Sequence, residues 1–322
     1  HDLRVIGEQE LAAHTVSGTW RERVQRATAV ATEAQGRQIY LTVPEVSTSG
    51  IQKIEGNLGR SAVIKISGVK REKIEQFNDK VFVAMHYLGE EAATAAVSDR
   101  ATFFGNLATH PNIQPETLLA SARYNLRGQT SQTGQPDWQA LAALNPKELV
   151  RELLAVQALR IVVIVAGVGI KAQGMPEMCK ISHDINYNPL LADACLLLTD
   201  GRISGTNKGF VIVHNEPEAY ERGPLLGVCT GDLVHLDLDD TRNTQHLNLI
   251  DPAALLAKQQ ATPVSAQAVQ AQVDSLAEER LALIEAQRDL FEPMLLDDLA
   301  QMSNAYTGGA SHILLARAKQ GR

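Results

Sequence analysis

Hydrophobic positions along the chain fall into short runs that end on glycine. One run, Ile161-Val-Val-Ile-Val-Ala166, is closed by Gly167 and Gly169; a second, Leu196-Leu-Leu-Thr199, is closed by Asp200 and Gly201. Period alone cannot separate a buried strand from a buried helix in runs this short, but β-branching and the closing glycines favour strands. Glu177 and Ser204 then fall on polar loops at strand ends. Further strand signals lie at 39–43, 61–67, 81–85 and 209–214, and 232–238 alternates strictly enough to read as a half-exposed strand.

Helical signals frame these runs. Residues 8–13 carry a short helical pattern, and Ser17 or Thr19 can cap the helix that follows. Residues 89–97 read as a short helix. Asn145-Pro-Lys-Glu148 is a strong helix start, with Asn as cap, Pro in the first turn and Glu at the third position. Ala, Leu, Glu and Gln dominate 253–259 and 266–288, which read as helices, as does 293–302. Mixed strands with helices added late predict an α+β architecture rather than a doubly wound sheet. Gly128-Gln-Thr-Ser-Gln-Thr-Gly-Gln-Pro136 has loop composition and marks a surface insertion at about 98–145.

Composition narrows the partners. With 44% hydrophobic and 21% charged residues the chain can bury an ordinary globular core, and its 30 basic against 37 acidic residues give a net charge of -7 that argues against nucleic acid. The longest apolar run is interrupted by two glycines and is shorter than the roughly 18 residues that span a bilayer, so a soluble, cytoplasmic protein without membrane partners is expected. The chain begins His1-Asp-Leu-Arg without Met, which reads as a fragment boundary. Cys179, Cys195 and Cys229 form no Cys-x-x-Cys pattern and read as small buried hydrophobes in a reducing compartment.

Candidate chemistry gathers at the second turn. Gly201 and Gly205 bracket Arg202 and Ser204, with Asp200 immediately before them, so the backbone can point successive N–H groups at a carboxylate. The plain alternative is a tight Asp-Gly turn with no chemistry. His183 and His214 lie near the turns, and a lone histidine there reads as structural.

Several motifs in one order resemble the dihydroxy-acid and phosphogluconate dehydratase family, C-terminal part: Gly174-Met-Pro-Glu-Met178, then Leu196 through Gly205, His214, Pro217-Glu-Ala219, Gly223-Pro224 and Thr230-Gly-Asp232. Gly56-Asn-Leu-Gly-Arg60 and Val63–Val69 look like the entry to the same domain and are closer in wording to the phosphogluconate, sugar-acid branch. The resemblance implies a β-barrel-like swivelling β/β/α domain over 37–250 with the insertion inside it. A helical lead-in at 1–36 would come from a preceding domain, and a helical extension would fill 251–322. It implies dehydration of a sugar acid to a 2-keto-3-deoxy acid, with Ser204 as base and Glu177 as magnesium ligand. Asp200, Gly201, Arg202, Gly205, Asn57 and Ser17 would contact substrate. An iron–sulfur cluster and the other magnesium ligands would lie in a large N-terminal domain, which becomes an expected partner, and self-association is expected by analogy. Ile203 stands where the family usually has Phe, and Gly169-Ile-Lys171 where it has Gly-Pro-Lys, which bears on substrate choice. A branched-chain dihydroxy acid is the alternative substrate, and a stand-alone, non-catalytic binding module is the alternative of another class.

Overall fold

The computed structural model describes residues 51–65, 76–128, 136–203, 210–239 and 244–288. Eight strands close into a mixed barrel: β1 (Ile51–Gly56), β2 (Gly59–Lys65), β3 (Lys80–Leu88), β4 (Ile161–Ala166), β5 (Cys195–Thr199), β6 (Phe210–Glu216), β7 (Leu233–Asp239) and β8 (Thr244–Leu249). Around the barrel the order is β1-β2-β6-β5-β4-β3-β7-β8, and β1 closes on β8 in parallel. Strands β3, β4, β5 and β6 are mutually parallel neighbours. Helical segments fill the crossovers from β3 to β4 and from β4 to β5, as parallel pairing requires.

Helices α1 (Glu90–Ser98), α2 (Arg100–Thr109), α3 (Pro115–Asn125), α4 (Trp138–Ala142) and α5 (Pro146–Ala155) lead from β3 to β4. Helices α6 (Ile170–Gln173), α7 (Cys179–Tyr187) and α8 (Pro189–Ala194) lead from β4 to β5, and α9 (Pro252–Lys258) and α10 (Ala266–Arg288) follow β8. This corrects the α+β swivelling-domain expectation. Helices are interleaved with the parallel strands instead of being added late, and the strand set is one closed mixed barrel. The physical reason lies in β4 and β5, which are buried at every position. Strands so apolar must be covered on both faces.

Alternate residues supply the two coverings. Val162, Ile164, Leu196 and Leu198 join an inner core with Phe82, Ile212 and Leu236. Ile161, Val163, Val165 and Leu197 join an outer core with Phe103, Leu107, Leu118 and Leu153 from α2, α3 and α5. The segment 98–145 therefore contributes helices to the core; only its loop at 129–135 lies outside the described residues. Cap chemistry starts α5 where the sequence placed it, with Asn145 accepting from Glu148 N at 3.0 Å; Asn188 does the same for α8, accepting from Leu190 N at 3.1 Å.

Register puts one set of loops at one end of the barrel. The loops after β1, β3, β4, β5, β6 and β8 and the segment entering β7 all lie at the carboxyl end of the parallel strands. Asn57, in the β1–β2 turn, pins this rim. Its Nδ2 donates to Leu249 O at 2.8 Å and Val264 O at 3.0 Å, and its Oδ1 accepts from Leu249 N at 2.7 Å. Replacing Asn57 by Ala removes these bonds and leaves partly buried backbone groups unpaired, so the unfolding free energy should fall by about 2–3 kcal/mol in urea denaturation with an unchanged m-value.

Candidate functional site

The loops that follow β4, β5 and β6 are bound together by one carboxylate. Asp200, 1% exposed, accepts from Gly167 N at 3.0 Å, Val168 N at 3.1 Å and Ala219 N at 2.9 Å. Burial raises its pKa and the backbone N–H groups oppose that rise. Gly201 follows in a space that only glycine fits, since a Cβ there would lie 2.8 Å from Val168 Cγ2. Its N–H donates to Thr199 Oγ1 at 2.9 Å, and its carbonyl accepts from His214 N at 3.0 Å. That last bond exists because β6 carries an extra residue against β2 near His214, which takes φ 57° and turns its N–H out of the ladder.

Arg202 lies alongside the Glu177 loop. The two residues form a parallel bridge, Arg202 O accepts from Met178 N at 3.2 Å, and Arg202 Nε donates to Met175 O at 2.8 Å. Gly174 and Met175 both have positive φ, 71° and 58°, so the chain turns sharply before Pro176 presents Glu177. Glu177 Oε1 is buried and has no hydrogen-bond partner. Cys179 beside it is exposed, and its thiol pKa is raised by desolvation first and by the Glu177 carboxylate next.

The structure thus brings Glu177, Asp200, Gly201 and Arg202 together at one rim. Asn57 stands on the same rim at the β1–β2 turn, linked to it through Asn215, whose Nδ2 donates to Leu58 O at 2.8 Å and Ser61 Oγ at 2.7 Å. Ser204, Gly205 and Ser17 lie outside the described residues, which reach Ile203 on this loop. His183 is stacked on Tyr187 at 3.8 Å between ring centroids, whereas His214 is half-buried and its pKa is lowered by burial and by nearby Arg202.

Sequence reasoning missed Glu218. It is 7% exposed, and it accepts from Lys171 N at 3.0 Å and Ala172 N at 3.2 Å, capping the start of α6. Burial, with Asp200 adding to it, pushes its pKa up to about 7. The signal was its place in Pro217-Glu-Ala219, a motif to which no role was attached.

An acceptor that is buried without a donor suits a cation, and Glu177 fits one carboxylate contribution to a magnesium site. Among the described residues no three His, Cys, Asp or Glu side chains are grouped to hold a metal. Cys195 is buried with its thiol pKa raised, and Cys229 receives Arg280 Nη2 at 3.4 Å, so these two sulfurs do not form a cluster site with Cys179.

Residues 102–280 match the dihydroxy-acid/6-phosphogluconate dehydratase C-terminal family. The chain belongs to that family. It is 44% identical over 88 residues to a dihydroxy-acid dehydratase of Streptococcus suis, covering 27% of this chain and 15% of that protein. It is 43% identical over 101 residues to one from Streptococcus thermophilus, 31% of this chain and 17% of the relative. To a chloroplastic dihydroxy-acid dehydratase of Arabidopsis thaliana it is 43% identical over 82 residues, 25% and 13% of the two chains. The matches therefore span less than one fifth of these relatives' own lengths. No helix among the described residues is long and apolar enough to cross a membrane.

Glu218 sets a pH dependence. A carboxyl whose folded pKa is raised from 4.5 to about 7 contributes stability that is fully present below about pH 4.5 and is lost as pH rises through about 7. Urea stability should fall by up to about 3 kcal/mol between pH 5 and pH 8, and Glu218→Gln should flatten that decline. An unchanged decline in the variant would assign it to another group.

Proposed function

We propose that this chain supplies one wall of the active site of a dehydratase that converts a 2,3-dihydroxy acid to a 2-keto acid and water. The observation that carries the reading is the Glu177 carboxylate in a chain of this family, with one buried oxygen lacking a partner on a strained loop bridged to Arg202. Its rim position, at the carboxyl ends of parallel strands, is the end at which α/β sheets and barrels alike place ligands.

In this reading Ser204 removes the hydrogen on the carbon next to the substrate carboxylate. That leaves an enolate; the hydroxyl on the next carbon departs as water by taking up the proton that Ser204 removed, and the resulting enol becomes the ketone. Arg202 provides the positive charge for the substrate carboxylate, and Gly201 and Gly205 let the backbone approach it. Asp200 holds the turn at the ends of β4 and β6, Asn57 pins the rim beside the substrate through its bonds to Leu249 and Val264, and Ser17 completes the substrate contacts. Glu177 would hold a magnesium ion, whose charge stabilises the developing enolate. The described cysteines do not fit an iron–sulfur cluster. The cluster belongs in this reading to an N-terminal partner domain that closes over the same rim, in an enzyme that self-associates in the cytoplasm.

The substrate is a sugar acid on the wording of Gly56-Asn-Leu-Gly-Arg60, which resembles the phosphogluconate branch. A second reading, a branched-chain dihydroxy acid, is favoured by the names of the relatives.

In the complete enzyme, Ser204→Ala should lower kcat by at least about 10³-fold with the fold retained. Glu177→Gln should weaken magnesium binding, read by titration of the ion, together with turnover. Retained turnover in Ser204→Ala would remove the base assignment. Turnover of gluconate compared with 2,3-dihydroxyisovalerate decides between the two substrate classes.

A further inference from the structure

Helices α1 and α7 pack against each other, and between them lies a cleft of about 370 Å³ lined by Glu90, Glu91, Thr94, Ala95 and Lys180. Two polar atoms here lack partners. Thr94 is 4% exposed and its Oγ1 has no hydrogen bond, although a helical threonine ordinarily bonds a carbonyl of the preceding turn. Glu90 Oε1, one turn earlier on the same wall, is buried and also unpartnered. Each such group is destabilising while it stays unmet, and a bound donor removes that cost. Burial raises the pKa of Glu90, and hydrogen bonds to its carboxyl from the backbone N–H groups of Ile181 and Lys180 at the start of α7 oppose the rise, leaving Oε1 as the oxygen without a donor.

The walls differ in sign. Glu90 and Glu91 come from α1, and Lys180 comes from α7. No three-ligand metal group is present among the described residues, and the space is within the range of about 300–1,000 Å³ typical of small-molecule sites. A lone ion or a simple amine would meet Glu90 and Thr94 but leave Lys180 and most of the cleft unused. A molecule carrying both charges uses both walls.

We infer that this cleft binds a small zwitterion, a free α-amino acid, with its ammonium at Glu90 Oε1 and Thr94 Oγ1 and its carboxylate at Lys180. The site does not depend on the dehydratase reading, since none of its polar groups is placed in that chemistry. It adjoins the Glu177 loop, because that loop leads directly into α7, which carries Lys180.

The test is calorimetric titration of the 322-residue chain with L-alanine, ethylamine, propionate and potassium chloride at pH 7. L-Alanine should bind saturably, and the other three should each bind about tenfold or more weakly. Lys180→Met, at an exposed position that leaves the core untouched, should abolish the advantage of alanine over ethylamine. Thr94→Val and Glu90→Gln should each weaken alanine about tenfold, with circular dichroism confirming that the variants fold. No saturable alanine binding up to about 10 mM, equal binding of ethylamine or potassium, or indifference to Lys180→Met would each overturn the inference.

Discussion

A buried carboxylate that accepts backbone N–H groups from two loops other than its own is the constraint on which this rim depends. Asp200 sits one residue past β5 and fastens the loop after β4 through Gly167 and Val168, and the loop after β6 through Ala219. Loops are ordinarily the least determined part of a fold. Here they are cross-linked by charge-assisted bonds in a dry environment, where such bonds are strong and an unpaired charge is expensive. The Arg202–Glu177 bridge, the Gly201–His214 bond and the cap of α6 all hang on elements that Asp200 holds in place.

Electrostatics make this arrangement strained as well as rigid. Asp200 and Glu218 are both buried and both favour the proton more than a free carboxyl does. Lys171 forms an ion pair with Glu221 nearby, so the positive side chain is engaged by the outer carboxylate while the inner one relies on backbone N–H groups. The same region contains the positive-φ residues Met175 and His214. Stored strain and unmet acceptors in one place are typical of a site organised for a ligand rather than for stability.

Much of the scaffold could be read from the chain. The β-branched run at 161–166 and the run at 196–199 announced the central strands, and Asn145-Pro-Lys-Glu148 announced α5, because strand burial and helix capping are local in sequence. Closure of the barrel was not legible, since β1 meets β8 nearly two hundred residues away. The interleaved helices were obscured by loop composition around residue 130, although Phe103, Leu107, Leu118 and Ala122 already carried helical spacing. Of the candidate site, Glu177, Asp200, Gly201 and Arg202 were named through their motifs, and the fold brings them to one rim. Glu218 escaped because its partners, Lys171 and Ala172, lie more than forty residues upstream. The unpartnered oxygen of Glu177 is a property of packing that no spacing reveals.

Helix α10 leans on the same rim from one side. A side chain on Gly167 would run into Ile284, one on Gly89 into Gln287, and Arg288 reaches Lys171 O at 3.3 Å. These glycines are the footprint of the helix. Variation among descendants of this sequence should therefore be coupled: the arc under α10 can change only when helix and loop change together.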